Sequence, residues 1–171
     1  TGQEEFNYFL SVLFPDDELM ILAYNRVLKD LNGNTPKELF QKLERVFTIK
    51  KSEKNQCRPK KKGEMGLYLD SVWYRLNVRP ECCLMDPVGA LDVAYLQRKV
   101  LEPIWEITDP KTDRRIDFVG GIRGLEELER RCGVDCAAAF AMYPTSIEEL
   151  FRVADADLLM PPKSTWFEPK L

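Results

Sequence analysis

The chain has 171 residues, 44% of them hydrophobic and 31% charged, with a formal net charge of −3. That length supports one domain with its own core, and the charge balance supplies no basic field for nucleic acid. No apolar run is long enough to cross a bilayer, and the opening Thr-Gly-Gln-Glu-Glu has neither the basic region nor the apolar core of an export signal.

In chain order, the aromatic and β-branched run Phe6 to Phe14 breaks at Pro15-Asp16-Asp17 and is followed by Leu19 to Leu28. Two such runs around a short turn predict a β-hairpin. Next, Thr35 is placed to cap a helix, with Pro36 at its first position and Glu38 completing a capping box. Leu39, Phe40, Leu43, Val46 and Phe47 then recur at helical spacing on one face. The run from Lys50 to Glu64 is basic and polar, with Pro59 and Gly63. It reads as a solvated loop, with a phosphate-binding arm as the alternative; no aromatics interleave its lysines, so base stacking is not expected there.

Gly66 to Val78 predicts a second hairpin turning at Asp70-Ser71. Asp92 is placed to cap a helix through about Pro103, with Leu91 and Leu96 as a hydrophobic staple. A turn at Asp109 to Asp113, a strand from Arg115 to Gly121, a helix ending at Gly133 and a buried strand from Cys136 to Pro144 follow. The last helix carries two overlapping capping boxes, Thr145 with Glu148 and Ser146 with Glu149. This order predicts a single α+β domain over residues 1–171: a largely antiparallel sheet with two hairpins, covered by about four helices. The strand-helix-strand near the end is a candidate parallel pair. Phe9, Leu22, Phe40, Leu43, Trp73 and Leu96 are the expected core.

The chain contains no His. That excludes Ser-His-Asp and Cys-His nucleophile pairs and the helical zinc-protease motif within it. Acid-base work falls to Asp, Glu, Lys, Tyr or Cys. The five cysteines are odd in number and read as reduced thiols of a cytoplasmic protein. Cys132 with Cys136 could pair with Cys82-Cys83 as a metal site, but no standard zinc spacing matches, so small buried hydrophobes are expected and no metal is assigned.

Three stretches are candidate sites. Asn25, Arg26, Lys29 and Asp30 lie around the end of a strand, where an Arg and an Asp so close could clamp an anion and hold a metal; a turn at Asn32-Gly33 with a local Arg26-Asp30 ion pair is the alternative. Gly120-Gly121, between a strand and a helix, offers backbone N–H groups to a phosphate, although the spacing to Gly124 fits neither the dinucleotide nor the P-loop pattern. Lys163, Ser164 and Thr165 bring a point charge and two hydroxyls into a segment stiffened by Pro161, Pro162 and Pro169, with Trp166 and Phe167 for stacking or packing. An anion site there requires Lys163 to share a face with Arg26 or the Gly120-Gly121 turn.

The words YNRVLKDLNG, LYLDSVWYRL, DVAYLQRKVLEPIWEI, DFVGG and MPPKSTWFEPKL, taken together along nearly the whole chain, resemble domain-of-unknown-function family 1015, a group of uncharacterised bacterial and archaeal proteins. Members are longer, and this chain resembles their C-terminal half, consistent with its lack of an initiating Met. Their earlier half carries an Asp-Gly-His-His-Arg stretch similar to that of ParB-like nucleotide-handling proteins, a free-serine kinase among them. Many members have His where this chain has Gln97, which removes an acid-base group from that helix. The resemblance implies the C-terminal portion of a nucleotide-dependent phosphotransferase-like protein. Its cofactor would be ATP with Mg2+ in the full-length protein. Its partners would be the N-terminal half and a nucleotide or phosphorylated small molecule, with no membrane. A non-catalytic regulatory or assembly module is the alternative.

Overall fold

The computed structural model describes residues 2, 4–13, 15, 18–53 and 56–169. Six strands form one sheet in which every pairing is antiparallel: β2 (Tyr24–Leu28), β3 (Phe47–Lys51), β4 (Glu64–Leu69), β5 (Val72–Val78), β6 (Ile116–Gly120) and β7 (Ala138–Ala141), in the order β3-β5-β4-β7-β2-β6. A two-stranded ribbon pairs β1 (Met20–Leu22) with β8 (Trp166–Glu168). The α+β architecture expected from the sequence is the one observed.

The hairpin at Asp70-Ser71 forms as expected. Both turn residues take positive φ, 50° and 62°, the backbone of a two-residue turn that matches strand twist. Helix α1 (Pro36–Leu43) has the Thr35–Glu38 capping box intact and buries Leu39 and Leu43. It stops at Leu43, however, and Phe47 begins β3 rather than continuing the helix. The apolar spacing across Val46 and Phe47 serves both elements, because β3 delivers Phe47 to the same core.

The first predicted hairpin is not there. Residues 8–13 form no strand, and β2 pairs with β6 and β7 instead. Phe9, expected in the core, is 87% exposed, and Leu10 and Leu13 are more exposed still; Phe14, Asp16 and Asp17 lie outside the described residues. Of the other core expectations, Leu43, Trp73 and Leu96 are buried, while Leu22 and Phe40 are half-buried. The strand-helix-strand near the end gives no parallel pair either. Strands β6 and β7 both run antiparallel to β2, which lies between them.

The second long helix is interrupted. It runs as α2 (Asp92–Leu96), a wide π turn (Gln97–Leu101) and α3 (Glu102–Trp105), ending where Glu106 takes φ 57°. Pro103 removes a backbone donor inside it, and the wider turn before the proline absorbs that loss. Asp92 does not cap this helix. Leu91 occupies the capping position, and Asp92 instead accepts the Gly63 N–H at 3.0 Å on each carboxylate oxygen. Helices α4 (Glu126–Cys132) and α5 (Ile147–Asp155) follow. Only Ser146 of the two proposed caps holds α5, through its box with Glu149.

Side chains alternate across the sheet, as the strand period requires. Leu28, Leu67, Leu76 and Phe140 face a large core with Leu39, Leu43, Leu96, Trp105 and Val153. Val27, Ala139 and Ala141 face a smaller one under α4, with Leu125, Leu128, Cys57 and Cys136. Cys132 packs on the smaller core and Cys82 on the larger, so the cysteines do not gather into one cluster. The run from Lys50 to Glu64 is more tied down than a solvated loop. Lys50 and Lys51 end β3, Cys57 and Pro59 are buried, and Lys62 pairs with Glu149; Lys54 and Asn55 lie outside the described residues.

Candidate functional site

The start of β2 sends Tyr24 and Arg26 to one face of the sheet and Asn25 to the other. On the Tyr24 face, the segment after α5 returns and closes a cleft of about 800 Å³, lined by Tyr24, Lys163, Ser164, Thr165, Trp166 and Phe167 among others. Contacts of Trp166 brace the segment. Trp166 enters β8 and pairs with Leu22 of β1. Its indole rests on Gly120, where an added methyl carbon would lie 2.5 Å from Cε3, so only glycine admits the ring there. Tyr24 meets Trp166 edge-on at 5.3 Å and Phe118 at 6.1 Å.

Lys163 has φ 53°, a left-handed conformation that costs a non-glycine residue about 1–2 kcal/mol. Two buried donors hold it. Arg26 Nη2 donates to Lys163 O at 2.9 Å, while its Nη1 donates to Tyr24 O. Thr145 Oγ1 donates to Ser164 O at 3.3 Å, which is why this threonine does not serve as a helix cap. Two successive carbonyls are thus turned inward onto donors. The cleft is left with the Lys163 ammonium, 5.5 Å above the Tyr24 ring, and the hydroxyl-bearing Ser164 and Thr165. This donor set suits an anion.

Arg26 is 4% exposed and stacks on Phe118 at 5.4 Å. Burial pushes its guanidinium down to about 9, with Tyr24 acting the other way, so it remains a cation at neutral pH. Its partners are carbonyls and a ring, and it makes no ion pair with a carboxylate among the described residues. A buried positive charge without an acid beside it raises the potential of the loop it holds.

The structure therefore brings together Lys163, Ser164, Thr165, Arg26 and Gly120. Gly121 sits next to them but offers no free amide, because its N–H donates to Ala23 O at 2.7 Å. Asp30 lies beyond the other end of β2. Its Oδ1 accepts the Asn32 N–H at 2.9 Å and its carbonyl accepts Trp105 Nε1 at 2.9 Å. It is neither in the cleft nor paired with Arg26. Thr145 and Tyr24 were missed by sequence reasoning. The first looked like a helix cap and the second like a strand residue, and only the long-range fold reveals their contacts with Lys163 to Trp166. Among the described residues, no three His, Cys, Asp or Glu side chains are grouped to hold a metal.

The fold is similar to that of solved structures of free serine kinase. Two variants in complex with AMP superpose with a TM-score of 0.52, at 13% and 15% identity. A variant in complex with ADP gives 0.52 at 14% identity. Each match covers 88% of this chain and 54% or 55% of the kinase, so the chain spans about half the length of those structures. No curated protein matches the sequence. No helix among the described residues is long and apolar enough to cross a membrane. The model of the family described as "Protein of unknown function (DUF1015)" matches residues 1–94, more than half of the chain, and the chain belongs to that family.

Proposed function

We propose that this chain is the phosphate- and substrate-contacting portion of a nucleotide-dependent phosphotransferase, with the Lys163 cleft as its nucleotide subsite. The observation that carries the reading is the inward turn of the Lys163 and Ser164 carbonyls onto Arg26 and Thr145. It leaves a loop that presents an ammonium and two hydroxyl-bearing residues beside an aromatic wall. Lys163 balances phosphate charge, Ser164 and Thr165 donate to phosphate oxygens, and Trp166 or Phe167 offers a flat apolar face to the base. The likeness to nucleotide-bound free serine kinase supports the choice of ligand.

The magnitudes fit a modest site. Charge-assisted bonds contribute about 1.5–3 kcal/mol each at best, and a stacked base about 1–3 kcal/mol. After ordering costs, a Kd between about 10 µM and 1 mM is expected. The donor is ATP with Mg2+, whose phosphates Lys163, Ser164 and Thr165 would contact. The groups that move the phosphoryl and the proton are assigned to the N-terminal half of the same protein, so this chain alone binds without turnover.

One observation favours a second reading, a non-catalytic regulatory or assembly module: Phe6, Phe9, Leu10 and Leu13 are each at least 85% exposed, an apolar run that suits a protein partner. The experiment that separates the two uses the full-length protein, challenged with ATP, Mg2+ and a panel of amino acids and small alcohols. Release of ADP dependent on one acceptor, and abolished by Lys163→Ala, supports the phosphotransferase. No ADP with any acceptor, and no heat of ADP binding in calorimetry, leaves the assembly reading standing.

A further inference from the structure

Asn25 lies between the two residues that build the Lys163 cleft, and it points the other way. It is 3% exposed and reaches a separate, smaller cavity of about 210 Å³ on the α4 face of the sheet. Gly121, Gly124, Tyr143 and Arg58 line that cavity with it. The amide orientation of Asn25 is fixed by chemistry. The Met142 backbone N–H donates to it at 2.9 Å, and a donor must face the side-chain oxygen, so the oxygen is spent. That leaves Nδ2, a two-proton donor on a side chain that is more than nine-tenths buried, with no partner among the described residues. Nδ2 opens onto the cavity, where a water, an ion or a ligand can receive its protons.

The charged side chain lining this cavity is Arg58, on the exposed side, and Tyr143 lines it as well. Arg58 makes no ion pair among the described residues. Glu126, which feels its charge, is bound by Gln56 Nε2 at 2.9 Å. A cation at the mouth and an amide donor at the floor call for an acceptor that carries negative charge. The volume admits a small molecule and is too tight for a nucleotide, whose sites run to about 300 Å³ and above. Gly121 and Gly124 keep the wall clear: a side chain on Gly121 would strike Ala23 O, and Gly124 has φ 73°.

We infer that this cavity is a second ligand site, separate from the Lys163 cleft, which takes a small oxyanion, a phosphoryl or short carboxylate group, on Asn25 Nδ2 and Arg58. The anion's oxygens accept from the amide within, while the guanidinium balances its charge at the entrance. Strand β2 thus serves one anion from each face.

The test is a pair of NMR titrations of the 15N-labelled protein, one with inorganic phosphate and one with acetate. At least one anion is expected to shift the Asn25 side-chain amide and the Gly121 and Gly124 backbone amides saturably, in the millimolar range or tighter. The shifts disappear in Asn25→Asp, which keeps the oxygen for Met142 but replaces the donor with a charge of the wrong sign. They need at least about fivefold more anion in Arg58→Ala, and persist unchanged in Lys163→Ala. Saturation by phosphate alone assigns a phosphoryl ligand, and by acetate alone a carboxylate. If neither anion shifts these amides, the proposal is overturned. It is equally overturned if the shifts are lost in Lys163→Ala or survive unweakened in Arg58→Ala. Arg58 is exposed, so its variant folds and decides the matter even if Asn25→Asp does not.

Discussion

Arg26 Nη2 lies 2.9 Å from the carbonyl oxygen of Lys163, across 137 residues of chain. A single guanidinium thereby joins the first strand of the main sheet to the closing segment, and it does so at the residue held in left-handed backbone. Remove the guanidinium and the Lys163 carbonyl loses the bond that turns it away from the cleft.

Arg26→Met is expected to weaken phosphate or ADP binding at least about tenfold while changing stability by no more than about 1–2 kcal/mol. The lost charge-assisted bonds are offset by relief from burying an unpaired charge. Arg26→Lys is the harsher change for the fold. It keeps the buried charge but not the planar fork that reaches two carbonyls at once. Urea denaturation of the two variants side by side checks this: a Lys variant more stable than the Met variant contradicts the role given to the fork.

Lys163 makes a sharper separation of binding from folding. Its side chain is exposed, so Lys163→Ala should abolish ADP binding in calorimetry with a melting temperature near that of the parent. Lys163→Gly should bind no better yet melt no lower than the Ala variant, because glycine relieves the strain of φ 53°. An Ala variant clearly more stable than the Gly variant argues against strain at this turn.

Gly120→Ala tests the contact on which Trp166 stands. The new methyl would meet the indole at 2.5 Å, and overpacking of this kind typically costs about 1–3 kcal/mol. Trp166 should be displaced toward solvent, with red-shifted emission and loss of the ADP response. Unchanged emission and stability would mean that the ring gives way freely and does not brace the cleft.

Much of the fold was legible because local rules agree with the global answer. The Thr35 capping box, the Asp70-Ser71 hairpin and the Ala138–Ala141 strand carry their own instructions. The failures have physical reasons. Phe6 to Leu13 has the composition of a strand, but no strand edge among the described residues receives it, and pairing is a long-range property that composition does not encode. Asp92 and Thr145 look like helix caps because each precedes a helix. Each is drawn instead to a partner distant in sequence, Gly63 and Ser164. Lys163 to Thr165 stood out in the sequence by charge, hydroxyls and flanking prolines; Arg26 meets Lys163 through its carbonyl, so its guanidinium is spent on the backbone rather than offered to the cleft. Asn25 stood beside Arg26 in the sequence candidate, but its separate cavity and free donor exist only once the fold has formed and Met142 has claimed its oxygen.

The thiols should follow their burial. All five are free. Alkylation of the native protein at pH 8 is expected at Cys83, which is exposed, and then at half-buried Cys82. Cys57 and Cys136 are buried, and burial pushes the Cys132 thiol up to about 12, which leaves on the order of one in ten thousand as thiolate. These three should label only after denaturation, when mass spectrometry counts five adducts. Early labelling of Cys132, or fewer than five adducts, contradicts this assignment.

Asp92 should make stability fall as pH rises. Burial pushes its carboxyl up to about 6; Gly63 N–H acts against that, the Glu149 carboxylate reinforces it and the Lys62 ammonium opposes it. A folded-state value above the unfolded one means that the native state holds the proton more tightly. The contribution is therefore complete below the unfolded value of about 3.9 and is lost as pH climbs through about 6. Two units correspond to about 3 kcal/mol as an upper bound, and the open side of the cavity between Lys62 and Tyr95 reduces that to about 2 kcal/mol. Other carboxylates push the total stability the other way in acid, so the informative quantity is the difference from Asp92→Asn. Asparagine keeps an oxygen for the Gly63 N–H and never ionises. Urea denaturation at pH 4, 6 and 8 should find the variant close to the parent at pH 4 and more stable than it by about 2 kcal/mol at pH 8. A variant equally or less stable at pH 8 would mean that the charged carboxylate is welcomed by Gly63 and Lys62, and that its burial is not the dominant effect.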